Sequence, residues 1–164
     1  MRNLCFLPLL LLFSSCCFYG DCNEYEDYEY PFEPVYMERE IFENSVVLKE
    51  EQPIQKSGKI YIYEDFIFVN DVYKGFHIYN NQDPSNPVLT HFLEVPGATD
   101  IAIKNDIVYI NQATDLIAVE IDWDLLSVNV SKRIVNTFPA IQAPDGWSYG
   151  ATQEGSVIVD WTAN

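Results

Sequence analysis

Nucleophilic, acid–base and metal chemistry each need particular side chains at set spacings, and few are available here. The only histidines are His77 and His91. His77 lies in an alternating, strand-like segment and His91 on the strand expected outermost in the same repeat, where a solvated or structural role is usual. The chain has no Gly-x-Ser-x-Gly turn to expose a serine, no His-Glu-x-x-His to hold zinc and no glycine-rich phosphate loop. Glu64-Asp65 suggests glycoside hydrolysis, which takes two carboxyls about 5–10 Å apart. With 25 acidic residues, however, neighbouring acids arise by chance, and Glu64-Asp65 occupies a turn position matched by Asn105-Asp106. No catalytic residue, metal or cofactor is expected. The candidate binding residues are Tyr73, Lys74, Thr114 and Asp115, which fall at equivalent places in two similar segments and would share one rim. A Lys74–Asp115 contact could equally be an exposed ion pair worth ~0–1 kcal/mol. Trp123, Trp147 and Trp161 could stack on sugars; a core role is the more usual one for tryptophan in a β protein.

The remaining reactive groups are at the N-terminus. All four cysteines, Cys5, Cys16, Cys17 and Cys22, precede residue 23. No Cys-x-x-Cys pair suggests zinc, and the set is not a disulfide framework. Met1-Arg2-Asn3 is a short cationic start, Leu4–Phe13 is apolar, and Ser14-Ser15 are small. This is the order of a secretory signal peptide, and the apolar run is short for a membrane span. Phe13-Ser14-Ser15-Cys16 also resembles the bacterial lipobox, with Phe13 and Ser15 departing from its commonest form. The resemblance implies cleavage after residue 15 and acylation of Cys16, with Cys17 as the alternative. Residues 16–35 then form a lipid anchor and an acidic tether, punctuated by Pro31 and Pro34. The acids resemble, by composition, a surface-export signal, and no calcium-loop pattern is present.

The net charge of −16, from 25 acidic and 9 basic residues, opposes contact with phosphate backbones, so nucleic acid is not an expected partner. The composition is 48% hydrophobic and 15% aromatic, which suffices for a core and favours sheets. Asn129-Val130-Ser131 has the form of a glycosylation sequon and reads as a chance match in a bacterial host.

Two copies of one pattern dominate the rest. Lys59–Asn70 runs over Asp100–Asn111 at an offset of 41, and Phe76 and Ile78 fall on Ile117 and Val119. Alternating Ile60-Tyr61-Ile62-Tyr63 predicts a strand, Phe66–Val69 a buried strand, Phe76–Tyr79 a third and Val88–Val95 a fourth. The second copy predicts strands at about 100–104, 106–111, 116–121 and 128–135. Ser156–Trp161 predicts one more. Val35–Leu48 fits either a strand followed by a turn or a short helix at Arg39–Glu43. A period near 40 residues with four short strands is that of a β-propeller blade. The fold expected over 36–164 is therefore all-β, with four-stranded antiparallel blades in two copies (58–98 and 99–139), a partial third and an incomplete ring.

Gly58-Lys-Ile-Tyr-Ile, Tyr73-Lys-Gly-Phe-His-Ile-Tyr, Asp83-Pro-Ser-Asn-Pro and Asp115-Leu-Ile-Ala-Val-Glu-Ile-Asp resemble the LVIVD-repeat proteins. These are propeller-like cell-surface lipoproteins, the nearest in kind from Bacteroidota. The resemblance covers about residues 35–161. It implies export across the inner membrane, a lipid anchor in the outer membrane and exposure at the cell surface. Members are usually longer, and a closed propeller takes at least about four blades. The chain therefore reads as a truncated product, as a unit closing its ring by association, or as an open two-sheet unit whose edges invite self-pairing. The expected function is a binding module for an unknown protein or glycan. The alternatives are a glycan-processing enzyme of propeller fold and a non-functional fragment of a longer lipoprotein.

Overall fold

The structure is a computed structural model that describes residues 30–164. The leader, Cys16, Cys17 and the tether up to residue 29 lie outside the described residues. The chain runs β1 (Phe32–Glu38), α1 (Arg39–Glu43), β2 (Val47–Glu50), β3 (Ser57–Tyr63), β4 (Phe66–Asp71), β5 (Gly75–Asn80) and β6 (Val88–Glu94). It continues through β7 (Ala98–Lys104), β8 (Ile107–Gln112), β9 (Asp115–Asp122), β10 (Ser127–Ile134) and β11 (Ser156–Ala163). The described residues are all-β apart from five-residue α1. Every strand pairing is antiparallel, and none of the three sheets closes on itself.

The repeat strands lie where the alternation puts them. The first sheet has the order β2-β6-β5-β4-β3 and the second β10-β9-β8-β7. β2 is a fifth strand that covers β6, so β6 is not the outer strand expected from the repeat. In the segment 35–48 both options coexist: a strand and then the short helix. β1 pairs with β11, joining the two ends of the described chain. β1 starts at Phe32, inside the stretch read as tether, because Phe32 and Val35 pack with β11 in a shared apolar cluster.

One core lies between the two repeat sheets. Phe68, Phe76, Ile78 and Leu93 of the first meet Val108, Ile110, Ile117 and Val119 of the second. Burying each such side chain stabilises by about 1.5–3 kcal/mol. A second core around Phe42, Ile158 and Trp161 holds the β1–β11 pair. The copies differ in one loop. Three residues separate paired Asp71 and Gly75, whereas two separate paired Gln112 and Asp115. Beyond that loop the structural offset falls from 41 to 40. Phe76 therefore corresponds to Leu116, not Ile117, and Lys74 corresponds to Thr114, not Asp115.

Gly97 holds the crossing between the sheets. Its φ is +78°, and a Cβ there would lie 2.8 Å from the Ala113 Cβ. Its N–H donates to the Tyr73 carbonyl, and its own carbonyl accepts from the Ala113 N–H, both at 2.8 Å. Gly146 has φ +86° with nothing within 4 Å. Gly97→Ala should therefore cost about 3 kcal/mol, from left-handed strain plus overpacking, and Gly146→Ala only about 1. Urea denaturation of both variants checks this; equal costs would contradict the crossing role.

Candidate functional site

The residues singled out for the rim are brought together, but the chain itself covers Tyr73 and Thr114 in part and Asp115 fully, and only Lys74 stays exposed. Tyr73 and Lys74 sit in the β4–β5 loop, and Thr114 and Asp115 at the β8–β9 turn. The β1–β11 pair lies over both. Tyr73 packs into the second core. Burial, with the nearby Asp160 carboxylate, raises its phenol above the ordinary range. Lys74 pairs with Asp160 at 2.6 Å, not with Asp115.

Asp115 is fully buried, as the first residue of a strand rather than part of an exposed loop. Its carboxylate accepts from both terminal nitrogens of Arg39 and from Arg133 Nη1 at 2.9 Å. It also accepts from the Asn136 N–H at 3.2 Å and the Thr114 hydroxyl at 3.1 Å. Burial alone would raise this carboxyl, but hydrogen bonds from Arg39, Arg133 and Asn136 outweigh it and hold the group below the usual carboxylate range. In turn, the bond to Asp115 raises Arg39 above its ordinary value. Both guanidiniums also lie over the buried Phe42 ring, at 5.4 and 5.2 Å from its centroid. Arg133 further donates to the Glu43 carbonyl at 3.3 Å. The cluster thus ties α1, β9, β10 and the loop after β10 to one carboxylate. Beside it, a cleft of about 460 Å³ is lined by Tyr36, Arg39, Thr114, Asn136 and Ser156 among others. Arg39 is its only charged residue and is already engaged.

The second buried carboxylate, Asp71, is similarly saturated. It accepts the Gln55 and Lys56 N–H groups at 2.9 and 2.8 Å. His77 Nε2 lies 3.1 Å away and must be the donor, since a carboxylate only accepts. Burial pushes Asp71 upward, but these bonds bring it below the ordinary range. His77 pairs across the strands with Phe92, and His91 with Ile78. The two imidazoles therefore face opposite sides of the sheet and do not converge. His77 is fully buried, and His91 is half-buried because β2 covers its strand.

Of the three tryptophans only Trp161 is in the core, where its indole N–H donates to the Ile141 carbonyl at 3.0 Å. Trp147 is 69% exposed. Trp123, in the β9–β10 turn, reaches across to the first sheet and stacks on Phe66 at 4.8 Å with 3° between planes. No repeat signal marks this contact: Asp83 stands at the matching place in the first copy. Between the sheets, Trp123 and Phe66 wall a groove of about 310 Å³ with Phe68, Ile103, Val108 and Ile121. Tyr63, Glu64 and Asp106 also line it. Comparison with known proteins gives no identification: no family model matches, and neither a curated protein nor a solved structure matches.

Asp115→Asn should lower stability by about 3 kcal/mol near neutral pH, because it leaves two guanidiniums without their shared counter-charge. The folded carboxyl lies below the unfolded value of about 3.9. Its stabilisation is therefore complete well above that value and fades as pH falls through the folded pKa. The gap in unfolding free energy between wild type and variant should narrow from pH 7 to pH 2. A gap that stays constant over that range would contradict the assignment.

Proposed function

We propose that this chain is a surface lipoprotein, held in the outer membrane by acylated Cys16, whose β domain is a binding module for an extracellular protein or glycan. The observation that carries the reading is how its polar groups divide. The buried carboxylates Asp71 and Asp115 are committed to bonds within the fold, and His77 is held through Nε2 by Asp71 with its Nδ1 unpartnered, while an open groove between rigid sheets is lined by aromatics. Enzymes perturb buried acids and bases toward a reacting atom; here each points at backbone or a neighbouring side chain. The sheets suit blades of the propeller type, and the likeness to LVIVD-repeat lipoproteins supports the same architecture and surface location.

In this reading the uncovered face of the first sheet is a point of growth. Ile60 and Ile62 on β3 are 66% and 64% exposed, on the side opposite Tyr61 and Tyr63, which pack on the core. A further blade or a second copy of the chain would pack there.

The anchor is tested by fatty-acid labelling in a bacterial host. Cys16→Ser should abolish incorporation and release the chain from the membrane fraction, and Cys17→Ser should do neither. Persistent labelling in Cys16→Ser, lost only in Cys17→Ser, would move the anchor; no labelling of the wild type would overturn it. The module reading is tested on glycans retained by the full chain. They should be recovered with unchanged mass, whereas cleaved products would favour an enzyme.

A further inference from the structure

The two repeat sheets meet through unlike faces. Tyr61, Tyr63, Phe66 and Phe68 of the first form a covering face, and Ile101, Ile103, Val108 and Ile110 of the second receive it. At the offset of 41, the receiving residues correspond to Ile60, Ile62, Ile67 and Val69, and the covering ones to Ala102, Lys104, Ile107 and Tyr109. Strand alternation puts both of these sets on outward faces, and Ile60, Ile62, Ala102 and Lys104 are exposed. The first sheet thus presents a receiving face that nothing covers, and the second a covering face with nothing beneath it. The chain also enters β3 as it enters β7. The Val72 N–H donates to the Lys56 carbonyl at 2.9 Å, and at the matching places the Ala113 N–H donates to the Gly97 carbonyl at 2.8 Å.

The polar contacts between the sheets say what fits these faces. Lys59 pairs with Asp100, which holds the same repeat position in the next sheet. Carried one sheet further, that contact sets Asp100 of one copy against Lys59 of another, again opposite charges. The Tyr63 hydroxyl donates to Asp106 at 3.4 Å. Carried one sheet further, it becomes Lys104 against Asp65, opposite charges once more. Neither Lys104 nor Asp65 belongs to any of the described ion pairs. An unrelated apolar partner would fit the isoleucines alone, and two first sheets packed face to face would leave the Lys104 face bare. We infer that a second copy of the chain completes the ring, the second sheet of each copy covering the first sheet of the other. Two copies then supply four sheets, about the smallest number that closes a propeller. Contacts between unlike faces close here with two-fold symmetry, and Lys59 and Asp100 of the two copies alternate around the inner strands.

This inference rests on the propeller-type reading of the sheets and names what closes them. The test is sedimentation velocity of the full chain in detergent at physiological salt. A discrete dimer is expected. Lys104→Asp and Asp65→Lys, both at exposed positions, should each raise the dimer dissociation constant roughly a hundredfold, because either change sets like charges together at both contacts. Far-UV circular dichroism should be the same for both variants as for wild type. Mixing the two variants should restore the dimer, since each contact then joins opposite charges again. A monomeric wild type overturns the inference, and so does an open series of larger species, which would mean that the contact does not close. A dimer that survives both single changes overturns it too, by placing the association on another face or in a shared micelle. A mixture that stays monomeric also overturns it. A monomer leaves the module reading standing, because that reading is judged by fatty-acid labelling and by the fate of retained glycans.

Discussion

The arrangement of the chain depends on one buried carboxylate. Asp115 begins β9 and, were it unpaired, would carry an expensive charge into the interior. It is tolerable only because Arg39 arrives from the N-terminal segment, Arg133 from β10 and a backbone N–H from Asn136. The cost of burial therefore becomes a constraint on topology. The N-terminal helix must sit against the second repeat sheet, and once there it brings β1 alongside β11. Phe42, beneath both guanidiniums, fills the space the cluster encloses.

That constraint also decides which surface is free. The loops at one end of the repeat sheets are covered by the joined chain ends, and their polar groups are spent on holding them. The opposite relation holds between the sheets. There the turns of β3–β4, β7–β8 and β9–β10 leave a groove whose acids have no internal cation. A recognition surface placed on rigid sheets needs little ordering when a ligand arrives. Assigning it there follows from where the fold has already satisfied itself and where it has not.

Much of the architecture was legible because strand alternation is a local signal. Ile60-Tyr61-Ile62-Tyr63 and the block Phe66–Val69 announce strands without knowledge of their neighbours, and Asp106 fits a turn by residue type. The rim was legible only as a neighbourhood. A one-residue difference in a loop moved Asp115 from the loop partner of Lys74 to a buried strand position. Residue counting cannot see that slip, because both copies keep the same flanking pattern. Trp123 was misjudged for a related reason. Its partner, Phe66, lies in the other repeat, and contacts between sheets leave no periodic trace. The start of β1, from Phe32 to Pro34, was hidden by composition, since the acids and prolines around it read as tether until β11 supplies the pairing. His77 reads as an ordinary strand residue, and only the fold reveals Asp71 beside it.

The central claim is that the chain ends and the repeat sheets form one cooperative unit pinned at Asp115. Native-state amide hydrogen exchange tests it most directly, since it reports the opening free energy of each segment. The account predicts that the hydrogen-bonded amides of β1 and β11 exchange as slowly as those of β8 and β9, through the same global opening. Exchange of β1 and β11 orders of magnitude faster, with β8 and β9 still protected, would contradict it and return the rim to solvent.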